Sequence, residues 1–132
     1  MKKRVVAFLL LAVLVFSLAI PLAARWSNIE EIGLNNSFTN SGNTANTSGT
    51  TMGNPNVTSM SALFLLQENR NGNWVTVHTW PVVNVTGSRL WFAGSRAVTP
   101  GLTYRAGVTV VANSPSHGQE VVSAFTNGSV AR

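Results

Sequence analysis

Two histidines, four glutamates and a large stock of hydroxyls are the groups in this chain that could carry acid–base or nucleophilic chemistry. A hydroxyl nucleophile works when a histidine takes its proton and a carboxylate orients that histidine. The histidines are His78, inside a strand-like run, and His117, in a polar turn with Glu120 three residues further on. His117 and Glu120 have the elements of a general base or a metal pair, but two ligands fall short of a typical zinc site, and a solvated turn and strand edge is the favoured reading. Ser and Thr are too numerous for one to stand out, and there is no nucleophile-elbow motif. A glycosidase needs two carboxylates at a set separation, which the glutamates satisfy only in number. The absence of cysteine excludes disulfides, thiolate metal sites and cysteine nucleophiles. The pattern predicts a non-catalytic protein with no cofactor and no metal, an exported hydrolase being the least favoured alternative.

Binding chemistry has better candidates. Trp74 and Trp80 are six residues apart, so an unbroken strand puts both on one side with Thr76 and His78 between them. If that side is exposed, the pair forms a carbohydrate-stacking platform; the favoured reading buries them, because a domain with few Leu and Ile needs its tryptophans in the core. Trp91 with Arg89 and Arg96 suggests a small cationic and aromatic patch, although arginines often cover an aromatic surface with no ligand present. The formal charge of +5 is concentrated at Lys2, Lys3 and Arg4; beyond Ala24 six arginines face four glutamates, a net of two positive charges. Scattered single arginines argue against a nucleic-acid partner. Five Asn-X-Ser/Thr triplets, beginning at Asn35, Asn46, Asn56, Asn84 and Asn127, are what a chain rich in these residues produces by chance.

The elements that must position these groups read as β throughout. No window after residue 24 keeps apolar residues at helical spacing over three turns. From Leu102 to Ala112, Tyr104, Ala106, Val108, Val110 and Ala112 share one face, which predicts the core face of a strand. A turn at residues 113–118 joins it to a strand from Glu120 to Thr126. Met60–Gln67 and Trp74–Trp80 flank a polar link whose Asn71-Gly72 supplies the positive φ of a hairpin turn. Arg89 to Ala93 makes a fifth strand, ahead of a turn at Pro100-Gly101. Residues 33–59 are dominated by Asn, Ser, Thr and Gly and read by composition as a loop; their Thr content permits weak strands near Ile29–Phe38 and Asn43–Met52.

The run Val98-Thr99-Pro100-Gly101-Leu102-Thr103-Tyr104-Arg105-Ala106-Gly107-Val108 resembles the corner of fibronectin type III domains where a Pro-Gly turn leads to a tyrosine and an alternating strand. The resemblance implies that Tyr104 turns its hydroxyl back to a backbone group a few residues upstream while its ring packs inside. Leu63–Gln67, the Asn-Gly turn and Asn73–Val77 resemble the middle hairpin of the same domains. Together these imply one all-β, antiparallel, seven-stranded two-sheet sandwich over residues 25–132, of fibronectin type III or immunoglobulin-like kind. The missing cysteine pair favours the fibronectin variant.

Residues 1–24 have the three parts of a secretory signal: a cationic start, an apolar run from Val5 to Ile20 that predicts a short helix, and the small-residue ending Pro21-Leu22-Ala23-Ala24. Cleavage is expected after Ala24; the alternative is a membrane anchor over residues 5–24, and either places the remainder outside the cytoplasm. Signal, length and single domain together are similar to small exported proteins of Gram-positive bacteria. The expected role is binding or structural, at the bacterial cell surface or beyond it, with a surface glycan or a protein as partner.

Overall fold

A computed structural model describes residues 27–132. The export segment and its cleavage site at Ala24 lie outside the described residues. The described residues form nine strands: β1 (Ile29–Phe38), β2 (Thr44–Gly53), β3 (Ser59–Arg70), β4 (Asn73–Thr79), β5 (Val83–Thr86), β6 (Arg89–Ala97), β7 (Thr103–Ser114), β8 (Gly118–Phe125) and β9 (Ser129–Val130). They make two antiparallel sheets. One has the order β1-β2-β6; the other has the order β4-β3-β7-β8, with β5 beside β3 and β9 beside β7.

The polar stretch forms two full strands. Thr and Gly offer little apolar area, but β1 and β2 pair along their length, from Ile29 opposite Gly53 to Phe38 opposite Ala45. The β3–β4 hairpin closes on Asn71 and Gly72, both at positive φ (56° and 88°), the turn that matches the strands' twist. The expected seven strands become nine because both outer edges of the larger sheet are divided. Pro81 has no N–H to donate, so the chain leaves β3 after β4 and resumes as β5 along β3's first half. At the opposite edge β8 ends at Phe125 and β9 pairs Thr103 and Tyr104.

The two inner faces differ in size. The larger sheet turns Met60, Ala62, Phe64 and Leu66 of β3 and Tyr104, Ala106, Val108, Val110 and Ala112 of β7 inward. The smaller sheet answers with small groups, Ala45, Thr47, Gly49 and Thr51, beside Leu90 and Phe92. Phe64 lies at the centre: its ring is 4.6 Å from that of Phe92 and stacks at 4.8 Å on Trp80. Gly94 leaves the space that Trp80 fills, and a Cβ there would meet the indole directly. We expect Gly94→Ala to destabilise the domain by about 1–3 kcal/mol through overpacking. A lowered thermal midpoint with altered near-ultraviolet dichroism from the displaced indole checks this.

Candidate functional site

The outer face of the three-stranded sheet carries the most exposed large aromatic among the described residues. Alternation along β6 turns Leu90 and Phe92 inward and leaves Trp91 outward, 68% exposed. Trp91 pairs with Thr50 of β2, which pairs with Gly33 of β1, and the next outward row is Ala93, Ser48 and Asn35. Because Gly33, Ala93 and the two hydroxyl residues are short, the indole stands over a flat floor with a shallow depression of ≈ 300 Å³ beside it. The side chains of Asn35, Ser48 and Thr50 make no hydrogen bond among the described residues, so an amide and two hydroxyls border the indole with their bonding capacity open. Arg89 and Glu31 lie one outward step to the other side of Trp91, both opposite Met52.

The expected companions of Trp91 divide. Arg89 shares its face, whereas Arg96 turns the other way and lines a groove with Glu68, Arg70 and Tyr104. The expected pairing of Trp74 and Trp80 on one side is corrected by a bulge. Gln67 pairs with Thr76 but Leu66 pairs with His78, so Val77 is inserted between them and the alternation reverses. Trp80 therefore points into the core at 7% exposure, with the edge of His78 against it at 4.8 Å. Trp74 lies half-buried on the outer face of the larger sheet, over Arg105. No common sugar platform connects the two.

The remaining candidates have local partners. Tyr104 is buried, and its hydroxyl accepts from the Thr99 N–H at 3.0 Å across the turn in which Gly101 takes φ 91°. The Glu120 carboxylate accepts from the backbone N–H groups of Ser27, Asn28 and Ile29 at 2.7, 2.8 and 2.9 Å. Buried Asn28 donates to the Ala112 and Gly118 carbonyls and accepts from Ser114, so the start of β1 is tied to the β7–β8 hairpin. His117 Nδ1 is 3.1 Å from the Ser116 hydroxyl and makes no ion pair with Glu120. Among the described residues no three histidines and carboxylates gather to hold a metal.

A cluster that strand alternation alone does not reveal occupies the outer face of the larger sheet. Arg105 of β7 lies between the rings of Trp74 (4.5 Å) and Phe125 (4.1 Å), and its Nε donates to Gln67 Oε1 at 2.7 Å. Phe125 comes close because its cross-strand partner Gly107 has no side chain; a Cβ there would lie 2.6 Å from the ring. A Gly two residues after an Arg on a strand face was the one available sequence signal.

These placements order the tryptophans energetically. Trp80→Ala is expected to cost about 3–5 kcal/mol as a large core deletion, while Trp91→Ala stays within about 0.5 kcal/mol because its ring contributes little burial. Denaturant unfolding checks the difference, and iodide quenching should fall most in the Trp91 variant. Glu120→Ala removes three charge-assisted bonds and is expected to cost about 2–3 kcal/mol, with amide exchange accelerating first at the start of β1. Comparison with family models, with curated proteins and with solved structures finds no match for this chain.

Proposed function

We propose that this chain is an exported, non-catalytic sandwich domain of fibronectin type III kind that binds a neutral extracellular glycan, at the bacterial cell surface, through its Trp91 face. The strand order supports the family-level part. Immunoglobulin-type sandwiches place strands A, B and E in one sheet and C, F and G in the other. Here β1, β2 and β6 stand against β3, β7 and β8, and β4 pairs with β3 rather than with β6. The Tyr104 hydroxyl bond across the turn before β7 adds support. Export is supported by the cationic start, apolar run and small-residue ending of residues 1–24.

The observation that carries the glycan reading is Trp91, 68% exposed beside three polar side chains that have no hydrogen-bond partner among the described residues. A pyranose has an apolar C–H face and a rim of hydroxyls. An exposed indole on a flat sheet can stack on that face, while Asn35, Ser48 and Thr50 bond the rim. Arg89 and Glu31 lie to one side of the indole, leaving its other flank uncharged, which favours a neutral sugar over an acidic one. The same flatness and lack of enclosure suit a chain passing over the surface better than a small molecule.

Titration of the purified protein with soluble neutral polysaccharides tests the reading by tryptophan emission and affinity electrophoresis. Saturable binding that protects emission from iodide and is lost by at least about tenfold in a folded Trp91→Ala variant is expected. Binding that survives the substitution, or none across neutral polysaccharides and cell-wall fragments, overturns it. The protein recovered from culture medium is expected to begin at Arg25, which amino-terminal sequencing checks.

A further inference from the structure

On the face opposite Trp91, the structure holds a cation in place without giving it an anion. The guanidinium carbon of Arg105 lies 4.5 Å from the centre of the Trp74 ring and 4.1 Å from that of Phe125, and its Nε donates to Gln67 Oε1 at 2.7 Å. Three side chains from three other strands thus hold the head of this arginine. No carboxylate lies within salt-bridge reach of it: the sole ion pair among the described residues joins Arg70 to Glu68. Among the described residues the buried side-chain atoms lacking a partner are Asn36 Nδ2 and Thr51 Oγ1. The two Arg105 Nη nitrogens, which have no acceptor among the described residues either, are therefore open to solvent. Burial lowers the Arg105 pKa from its usual value, the direction expected for a partly desolvated cation, and the group stays charged at any physiological pH.

We propose that Arg105, clamped by Trp74, Phe125 and Gln67, is an anion-recognition site that takes a carboxylate or phosphate group of an extracellular polymer by a two-pronged hydrogen bond from its Nη nitrogens. Desolvating a guanidinium without a counter-ion is unfavourable unless aromatic faces and a ligand offset it. A surface arginine that served only to cover the rings would be free to turn its head toward water. Here the Gln67 bond holds Nε, and two aromatic rings lie within cation–π distance of the same guanidinium. Four N–H bonds remain for a ligand, in the planar fork that matches carboxylate and phosphate oxygens. The exposed half of Phe125 gives the ligand's apolar part a surface to rest on. This site is independent of the neutral-glycan face, being on the other sheet and selecting an anion rather than an uncharged sugar.

The test is binding of the purified protein to polygalacturonate and to polyphosphate, read by tryptophan emission and by salt dependence, with a neutral polysaccharide as comparison. Saturable binding to at least one polyanion is expected, weakened about tenfold in Arg105→Lys, which keeps the charge and loses the fork. Gln67→Ala, which frees Nε, should weaken it by a smaller factor, and Trp91→Ala and Arg89→Lys should leave it unchanged. Preference for one polymer identifies the carboxylate or the phosphate as the group recognised. Absence of saturable binding to both polymers overturns the proposal, as does equal weakening by Arg89→Lys and Arg105→Lys, which would make the attraction one of net charge alone. Thermal melts of each variant verify folding; if Arg105→Lys does not fold, Gln67→Ala decides by the same readout.

Discussion

The contact on which the rest of this molecule depends is the stack of Phe92, Phe64 and Trp80 across the two sheets. With no cysteine to join the sheets, burial is the main tie between them, and these three rings supply much of the large apolar area in a core otherwise rich in Ala, Val and Thr. Each ring comes from a different element: β6, β3 and the link after β4. The stack therefore fixes the smaller sheet, the larger sheet and the β4–β5 edge relative to one another. It is possible only because small residues face it. Gly94 makes room for Trp80, and the small inner groups of β2 make room for Phe92. Density is reached by large against small, the condition for a core without voids.

A second set of constraints is polar. The smaller sheet turns Thr47, Thr51 and Asn36 toward the interior, where apolar residues would be usual. Thr47 donates to Asn36 Oδ1 at 3.0 Å, which satisfies one pair, while Asn36 Nδ2 and Thr51 Oγ1 stay unsatisfied. At the end of the sheet, Asn28 and Glu120 bind the start of β1 to the β7–β8 hairpin through backbone groups. These bonds do the work of a staple, joining parts of the chain far apart in sequence. Their consequence for function is stiffness: the floor beneath Trp91 is a paired sheet with its first strand tied down.

The two outer faces have acquired opposite chemistry from one architecture. On the smaller sheet short neutral side chains border one flank of the exposed Trp91 indole, with Arg89 and Glu31 on the other. On the larger sheet the aromatic side chains close on an arginine, and the apolar residues Leu63, Val121 and Phe125 continue along the surface. The bulge at Val77 is what separates them. By reversing the alternation of β4 it sends Trp80 into the core that supports both sheets and leaves Trp74 outside to cover Arg105. One inserted residue thus determines which tryptophan is structural and which faces solvent.

The sequence by itself determined the all-β class, the inward face of β7, the Asn71-Gly72 hairpin and the location of the strands within the Thr-rich stretch. Each of these rests on local facts: period-two alternation, the positive φ that glycine and asparagine accept, and the poor helical spacing of the apolar residues. That Tyr104 turns its hydroxyl back across the turn was expected from the resemblance of that corner to fibronectin type III domains, and the structure makes the Thr99 N–H its partner. Tertiary structure alone decided the rest. Local alternation cannot announce a bulge whose cause is the partner strand, so Trp74 and Trp80 look equivalent until β3 is set beside β4. Arg96 and Trp91 look like neighbours until alternation along β6 is joined to a known core side. The Arg105 clamp draws Trp74 from β4, Gln67 from β3 and Phe125 from β8. Sequence supplied those side chains, but only cross-strand register, with Gly107 leaving room for Phe125, brings their rings and amide to one guanidinium.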